Sequence, residues 1–249
     1  MYKLNKKEFN DKYDELILSS RFFEEHSYYV RERPRYFNTL KLLLARIDSS
    51  RDLSELRVLE IGGGQICLLM RALFGCKAVV ADVSDKYKDS VQKQGCDFRV
   101  CDLLYDDLPD RDYFDIVIIC EVIEHMPVPP YQILSKMKNW MKPGGLLFLT
   151  TPNLYRLRNV VRLMLGMRVF DIFFIPERGN SIGHPFEYSA EHLSWQMDRG
   201  GFKDIKVTYK QLSLTGSTFR ARLARGLLAP LMLRDKFKDT LVATAQVAG

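Results

Sequence analysis

The period of the hydrophobic positions changes along this chain, and the changes divide it. Over the first 50 residues apolar side chains recur at helical spacing. Phe9, Tyr13, Leu16 and Ile17 share one face, and Tyr36, Leu40, Leu43, Leu44 and Ile47 share another. Near residue 57 the helical period gives way to short apolar runs. Residues 58–61, 77–82, 98–101, 114–120 and 146–151 read as strands, several β-branched and continuous as strands covered on both faces must be. Between them helical patterns start after Gln65 and fill 85–95 and 131–141, the last stopped by Lys142-Pro143-Gly144-Gly145. This alternation predicts an α/β chain with a doubly wound sheet. After residue 153 it is interrupted by two basic-apolar stretches, 154–176 and 219–238. A helix is expected over 190–199, capped by Ser189 and ended by Gly200-Gly201, with strands at 205–209 and 240–245.

The polar residues that break the apolar runs carry the candidate chemistry. The first strand ends in Gly62-Gly63-Gly64, and a helix follows at once. Glycines there permit the tight turn and keep no Cβ between backbone and ligand, which then sits near a helix N-terminus. Cys67 stands where the dinucleotide fingerprint needs its third small residue, so the nicotinamide pattern is incomplete. Glu60 is an acid at the end of a buried strand and needs a partner, either a ligand or a backbone donor. Asp82 ends the second strand, 20 positions after Gly62, where a carboxylate can accept both ribose hydroxyls or cap a helix from Ser84 onward. Asp102 comes directly after the third strand. Glu121-Val122-Ile123-Glu124-His125 leaves the carboxyl end of the fourth, the end at which open parallel sheets bind ligands. An aromatic-basic stretch, Tyr28-Tyr29-Val30-Arg31-Glu32-Arg33-Pro34-Arg35, can cover a ligand or grip an anion. It can equally just pack the first helices on the core.

Composition narrows the setting. The 249 residues are 47% hydrophobic and 27% charged, enough for one large domain with additions. A net charge of +6 and a pI near 9.0 suit anionic partners or a solvated basic surface. Five cysteines without a C-x-x-C pair argue for buried thiols in a reducing cytoplasm, against disulfides and zinc. The N-terminus lacks a signal-peptide core, and no run approaches the ~18 apolar residues that span a bilayer.

Taken together, the Glu60-Ile61-Gly62-Gly63-Gly64 loop, Asp82, Asp102, the Phe114-Asp115 strand leading into Glu121 to His125, and the Lys142 to Gly145 turn resemble the class I S-adenosylmethionine-dependent methyltransferases over residues 57–151. Thr151-Pro152-Asn153, His184-Pro185-Phe186-Glu187-Tyr188-Ser189 and Gly200-Gly201-Phe202 resemble a branch holding ubiquinone-biosynthesis-like O-methyltransferases and methyltransferases of surface-polysaccharide synthesis. Ile66, where many members carry a further glycine, departs from the pattern. The resemblance implies a Rossmann-like doubly wound, mostly parallel seven-stranded sheet with an antiparallel late strand. It also implies a helical N-terminal cap over 1–50 and a methyltransferase domain over 51–249, with 154–188 as an inserted lid. Implied cofactor contacts are Gly62, Gly63 and Gly64 at the methionine part, Glu60 beneath them, and Asp82 with Val83 at the ribose. Asp102 with the Cys101 backbone would face the adenine, and Glu121 the methionine end beside the acceptor.

Transfer from a sulfonium needs positioning and water exclusion, and an oxygen acceptor also needs a proton removed, work that suits a histidine. His125 and His184 are the candidates. Asp106, Asp107, Asp110 and Asp112 read as a solvated loop, and no metal is expected. The expected acceptor is a small or carrier-linked molecule, a sugar hydroxyl in glycan or surface-polysaccharide synthesis, met in the cytoplasm or at the membrane surface by the arginines of 154–176 and 219–238. The alternatives are a phenolic or quinone-like lipid acceptor, and a non-catalytic cofactor-binding partner. No nucleic-acid motif is present, and no oligomeric state can be read from the sequence.

Overall fold

The structure, a computed structural model, describes residues 2–20, 25–170, 185–212 and 234–249. Seven strands form one sheet: β1 (Arg57–Ile61), β2 (Lys77–Asp82), β3 (Asp97–Val100), β4 (Phe114–Cys120), β5 (Met141–Pro152), β6 (Phe202–Lys210) and β7 (Thr240–Val247). Their order is β3-β2-β1-β4-β5-β7-β6. The first five are parallel, and β7 runs antiparallel to both β5 and β6. This is the doubly wound, mostly parallel sheet with a late antiparallel strand that the sequence leads one to expect. Because the order reverses between β1 and β4, both connections leave a crevice at the carboxyl ends of these strands.

Strand alternation distributes side chains to two cores. Val58, Ile116, Ile118 and Phe148 face helices α1 (Lys6–Tyr13), α2 (His26–Leu44) and α3 (Gln65–Phe74), where Phe9, Tyr13, Leu40, Leu43 and Ile66 close over them. Leu59, Ile61, Val117, Ile119 and Leu147 face the other way, onto α5 (Pro130–Trp140) and α7 (Ala190–Arg199) through Ile133, Leu134, Trp140, Leu193 and Met197. Each such fully buried side chain contributes about 1.5–3 kcal/mol. The same alternation puts Glu60 on the α3 side with Val58, and so decides its partners. The N-terminal helices thus share a core with β1 and β4, and Tyr13 Oη donates to the Tyr29 carbonyl at 2.9 Å.

β2, β4 and α7 fall where the hydrophobic pattern puts them. Three elements differ, one of them β6, which starts at Phe202 and not at 205. The helix expected over 85–95 is shorter, α4 (Lys88–Lys93). Asp82 accepts from Ser84 N and Ser84 Oγ from Lys86 N, so side chains hold the preceding residues in turns. β5 begins at Met141, which pairs with Phe114 before Ile116 pairs with Leu146. The Lys142–Gly145 stretch is therefore a bulge inside a strand pair. At that end of the sheet Asp115 is held by Lys142 Nζ (2.8 Å), Arg51 Nη2 (2.6 Å) and Arg57 N (2.9 Å), remote from the carboxyl-end crevice. Beyond β5, α6 (Leu157–Met164) starts the first basic-apolar stretch, which is described only to residue 170. Of the second, 219–238, only 234–238 is described.

Candidate active site

At the carboxyl edge of the sheet lies a cavity of about 320 Å³. Its floor is the turn between β1 and α3. Gly62 and Gly64 have φ of +77° and +89°, and a Cβ would stand 2.9 Å from Val122 Cγ2 in the first and 2.8 Å from Val80 Cγ1 in the second. Only glycine fits both the backbone and the space. The turn is tied to β2 through Gly62 N, which donates to the Ala81 carbonyl at 2.8 Å. Gly63 N donates to Asp82 Oδ2 at 3.2 Å, and Ser84 N to Oδ1 at 3.0 Å. Burial nevertheless raises the Asp82 pKa above its ordinary value against these donors.

Glu60 lies under the turn, 3% exposed. Its partner is a backbone donor: Cys67 N, in the first turn of α3, donates to Oε2 at 2.6 Å. The donors do not offset burial, which pushes the carboxyl up to about 8. The opposite wall comes from β4 and β5. Glu121 is a non-glycine residue at φ +55°, its amide donates to the Thr150 carbonyl (2.9 Å), and its Oε1 accepts from Thr150 Oγ1 (2.8 Å). A strained backbone held by such bonds is common at functional sites. His125 closes a single 3₁₀ turn, Ile123–His125, and lines the same cavity. Glu124 points into the protein, accepting from Thr151 Oγ1 at 3.0 Å, and its other oxygen has no partner among the described residues. Burial, reinforced by Glu121, raises its pKa well above the usual range.

The structure thus gathers Glu60, Gly62, Gly63, Asp82, Glu121 and His125 around one cavity. Gly64 supports it from beneath. Val83, Cys101 and Asp102 lie outside its lining. Cys101 N pairs with the Asp82 carbonyl at 2.8 Å, and Asp102 Oδ1 accepts from Leu104 N at 3.0 Å. His184 falls outside the described residues. Among the described residues no three His, Cys, Asp or Glu side chains converge as a metal site. In the acidic loop, Asp106 instead accepts from Asp102 N, and Asp107 from Trp140 Nε1 and Arg111.

A third wall is one that the sequence pattern does not assign. α2 contributes Tyr28, Tyr29, Arg35, Tyr36 and Thr39, and α3 adds Gln65, whose Nε2 donates to Tyr29 Oη at 3.1 Å. The aromatic-basic stretch is the signal for it. That stretch leaves packing and ligand cover open, and α2 does both: Tyr29 and Tyr36 are buried in the core and also border the cavity.

A family model described as "Methyltransferase domain" matches residues 29–207. Among curated proteins, the chain is 32% identical over 120 residues to a ubiquinone biosynthesis O-methyltransferase of Glaesserella parasuis serovar 5 (strain SH0165), covering 43% of this chain and 49% of that protein. It is 28% identical over 173 residues to the mitochondrial ubiquinone biosynthesis O-methyltransferase of Rattus norvegicus, covering 59% and 48%. The chain thus spans about half the length of the curated relatives it matches. Among solved structures, a SAM-dependent methyltransferase of Thermotoga maritima superposes with a TM-score of 0.57 at 16% identity, covering 88% of this chain and 93% of that one, a likeness of fold.

Proposed function

The chain belongs to the methyltransferase-domain family, with the class I S-adenosylmethionine-dependent fold, and from that premise we propose that it transfers a methyl group from S-adenosylmethionine to an oxygen acceptor. The observation that carries this reading is the cavity at the carboxyl edge of the sheet, with its glycine floor, its acid at the end of β2 and its acids at Glu60 and Glu121. These residues fit the cofactor. Gly62, Gly63 and Gly64 would let its methionine part lie against the backbone. Asp82, with Val83 beside it, would take the ribose hydroxyls: each oxygen already accepts one backbone donor and keeps a lone pair for another. Asp102 and the Cys101 backbone would border the adenine. Glu60 and Glu121 would face the cationic methionine end.

S-adenosylmethionine, when bound, supplies a methyl group already activated on a sulfonium. The chain's own work is then to orient both substrates, exclude water and take a proton from the acceptor. His125 is the cavity-lining residue assigned that proton, and His184 is the second candidate. For the acceptor, the reading is a sugar hydroxyl of a carrier-linked glycan or surface polysaccharide, met at a lipid surface. The exposed apolar and arginine side chains around α6 support the lipid surface. No helix among the described residues is long and apolar enough to cross a membrane. A phenolic or quinone-like lipid is the second acceptor reading, favoured by the names of the curated relatives.

Calorimetric titration with S-adenosylmethionine and S-adenosylhomocysteine tests the cofactor. Wild type is expected to bind both, and Asp82→Ala at least about tenfold more weakly. Wild-type protein that binds neither would sink the reading. Labelled methyl transfer to lipid-linked sugar against a phenolic quinone precursor then decides the acceptor, and binding without transfer to any hydroxyl would favour a non-catalytic partner.

A further inference from the structure

We infer that Arg158 and Arg162, on one face of α6, form a binding site for a phosphoryl group, the group that would join a glycan acceptor to its carrier. The inference rests on the carrier-linked acceptor reading above for the ligand's role, and on the arginines themselves for the site. α6 follows β5, whose Thr150 lines the cavity, so the site stands at the same carboxyl edge of the sheet. The start of α6 is firmly held. Asn153 Nδ2 donates to the carbonyls of Lys236 and Lys238, both at 2.8 Å, and its amide to the Asp239 carbonyl at 2.9 Å. Asn159, buried, donates to the Leu154 carbonyl at 3.1 Å and to Glu187.

Three arginines gather there, Arg156, Arg158 and Arg162, and the acids beside them are Glu187 and Asp239. Arg156 is committed: it pairs with Glu187, and its Nε donates to Asn159 Oδ1 at 3.3 Å. Both acids are engaged as well. The second oxygen of Glu187 accepts from Asn159, and Asp239 Oδ2 accepts from Gln211 Nε2 at 2.5 Å. Among the described residues neither Arg158 nor Arg162 makes an ion pair, and the Nε of Arg162 is buried with no partner. A buried N–H without an acceptor costs free energy that an anion's oxygen would recover. Like charges four positions apart on a helix also repel. Burial, with Arg156 and Arg162, accordingly lowers the Arg158 pKa against the pull of Glu187 and Asp239. Two guanidiniums held together without a counter-ion, one of them with a buried donor unused, suit a phosphoryl group, whose oxygens accept from several donors of the fork at once.

Calorimetry on the full chain with inorganic pyrophosphate tests the site. Wild type is expected to bind it. Arg158→Met and Arg162→Met should each weaken binding about tenfold or more, the low end for a hydrogen bond to a charged group. Arg168→Met, exposed on the same stretch but outside the cluster, should bind as wild type. No binding by wild type, unchanged binding by the first two variants, or equal weakening by all three overturns the site, the last by marking a diffuse basic surface. Both cluster variants should keep wild-type affinity for S-adenosylhomocysteine, which separates the site from folding and from the cofactor reading. Arg158 is exposed, so its variant decides if Arg162→Met fails to fold. The source of the phosphoryl group is then read with the double Met variant. If the carrier supplies it, KM for a polyprenyl-pyrophosphate-linked sugar rises about tenfold or more at unchanged kcat, and flotation with phosphatidylglycerol vesicles persists. If flotation is lost instead, and pyrophosphate displaces wild type from those vesicles, the ligand is a lipid headgroup and its assignment to the acceptor is overturned. Transfer to a phenolic lipid alone, with pyrophosphate still bound at the cluster, fails the acceptor reading and leaves the site.

Discussion

Glu60 takes its hydrogen bonds from the first turn of α3, and its pKa of about 8 makes it a proton carrier at neutral pH. The sign is set by the two states. Below the unfolded value, 4.5, the carboxyl is protonated folded and unfolded alike. Between there and about 8 only the folded state keeps the proton, so stability falls as pH rises, and above about 8 the loss is complete. Burial raises Asp82 and Glu124 too, which act in the same direction. A cationic methionine end placed against Glu60 would favour its ionised form, so cofactor binding should expel a proton and tighten as pH approaches 8. Titration at pH 7 in buffers of different ionisation enthalpy measures this. We expect release of a substantial fraction of one proton from wild type and much less from Glu60→Gln. Buffer-independent heats in wild type would show that the cofactor leaves Glu60 protonated. The need for a partner at Glu60 was legible in the sequence, because an acid ending an apolar strand is conspicuous. Arg35 was legible only as one member of an aromatic-basic stretch able to cover a ligand or pack on the core, because its place beside Glu121 arises when α2 folds back over the sheet edge.

Elements were legible where both faces are buried. β2 and β4 are continuous apolar runs, and their bounds can be read from the run alone. The start of β5 was not, because Gly144-Gly145 signals a turn in any sequence and only the Phe114–Met141 pairing keeps the strand going through it. α6 is the element whose role is least fixed by its own packing. Its inner side is anchored by Arg156 and Asn159, both paired with Glu187. Its outer side and continuation expose Leu163, Met164, Leu165, Met167 and Phe170, with Met164 at 81%, among exposed Arg158 and Arg168. Apolar side chains flanked by cations are the pattern of a helix that lies in an anionic lipid interface. We expect the protein to float with vesicles containing phosphatidylglycerol and not with pure phosphatidylcholine, and to detach as salt rises. Met164→Asp with Leu165→Asp should weaken partitioning at least about tenfold, from the apolar area withdrawn from lipid. Equal flotation of wild type and the double variant would remove α6 from the lipid contact.

At the scale of the molecule, the cavity belongs to no single layer. Its walls come from α2, the β1–α3 turn, the end of β2, the segment after β4 and the end of β5. Tyr29 joins them: its ring hydroxyl accepts from Gln65 in α3, and its carbonyl from Tyr13 in α1. A ligand held at once by the side chains of α2 and by Asp82 on β2 would therefore brace the N-terminal helices against the sheet. At a hundred times its dissociation constant a ligand adds about 2.7 kcal/mol, which for a chain of this size raises Tm by roughly 5–10 °C. Hydrogen exchange locates where that free energy is spent. If the walls act together, S-adenosylhomocysteine should slow exchange in α2 as well as in the β1–α3 turn, because opening either breaks the same site. Protection confined to the turn, with α2 exchanging as in the free protein, would make residues 1–50 a separable cover and leave cofactor binding to the sheet edge.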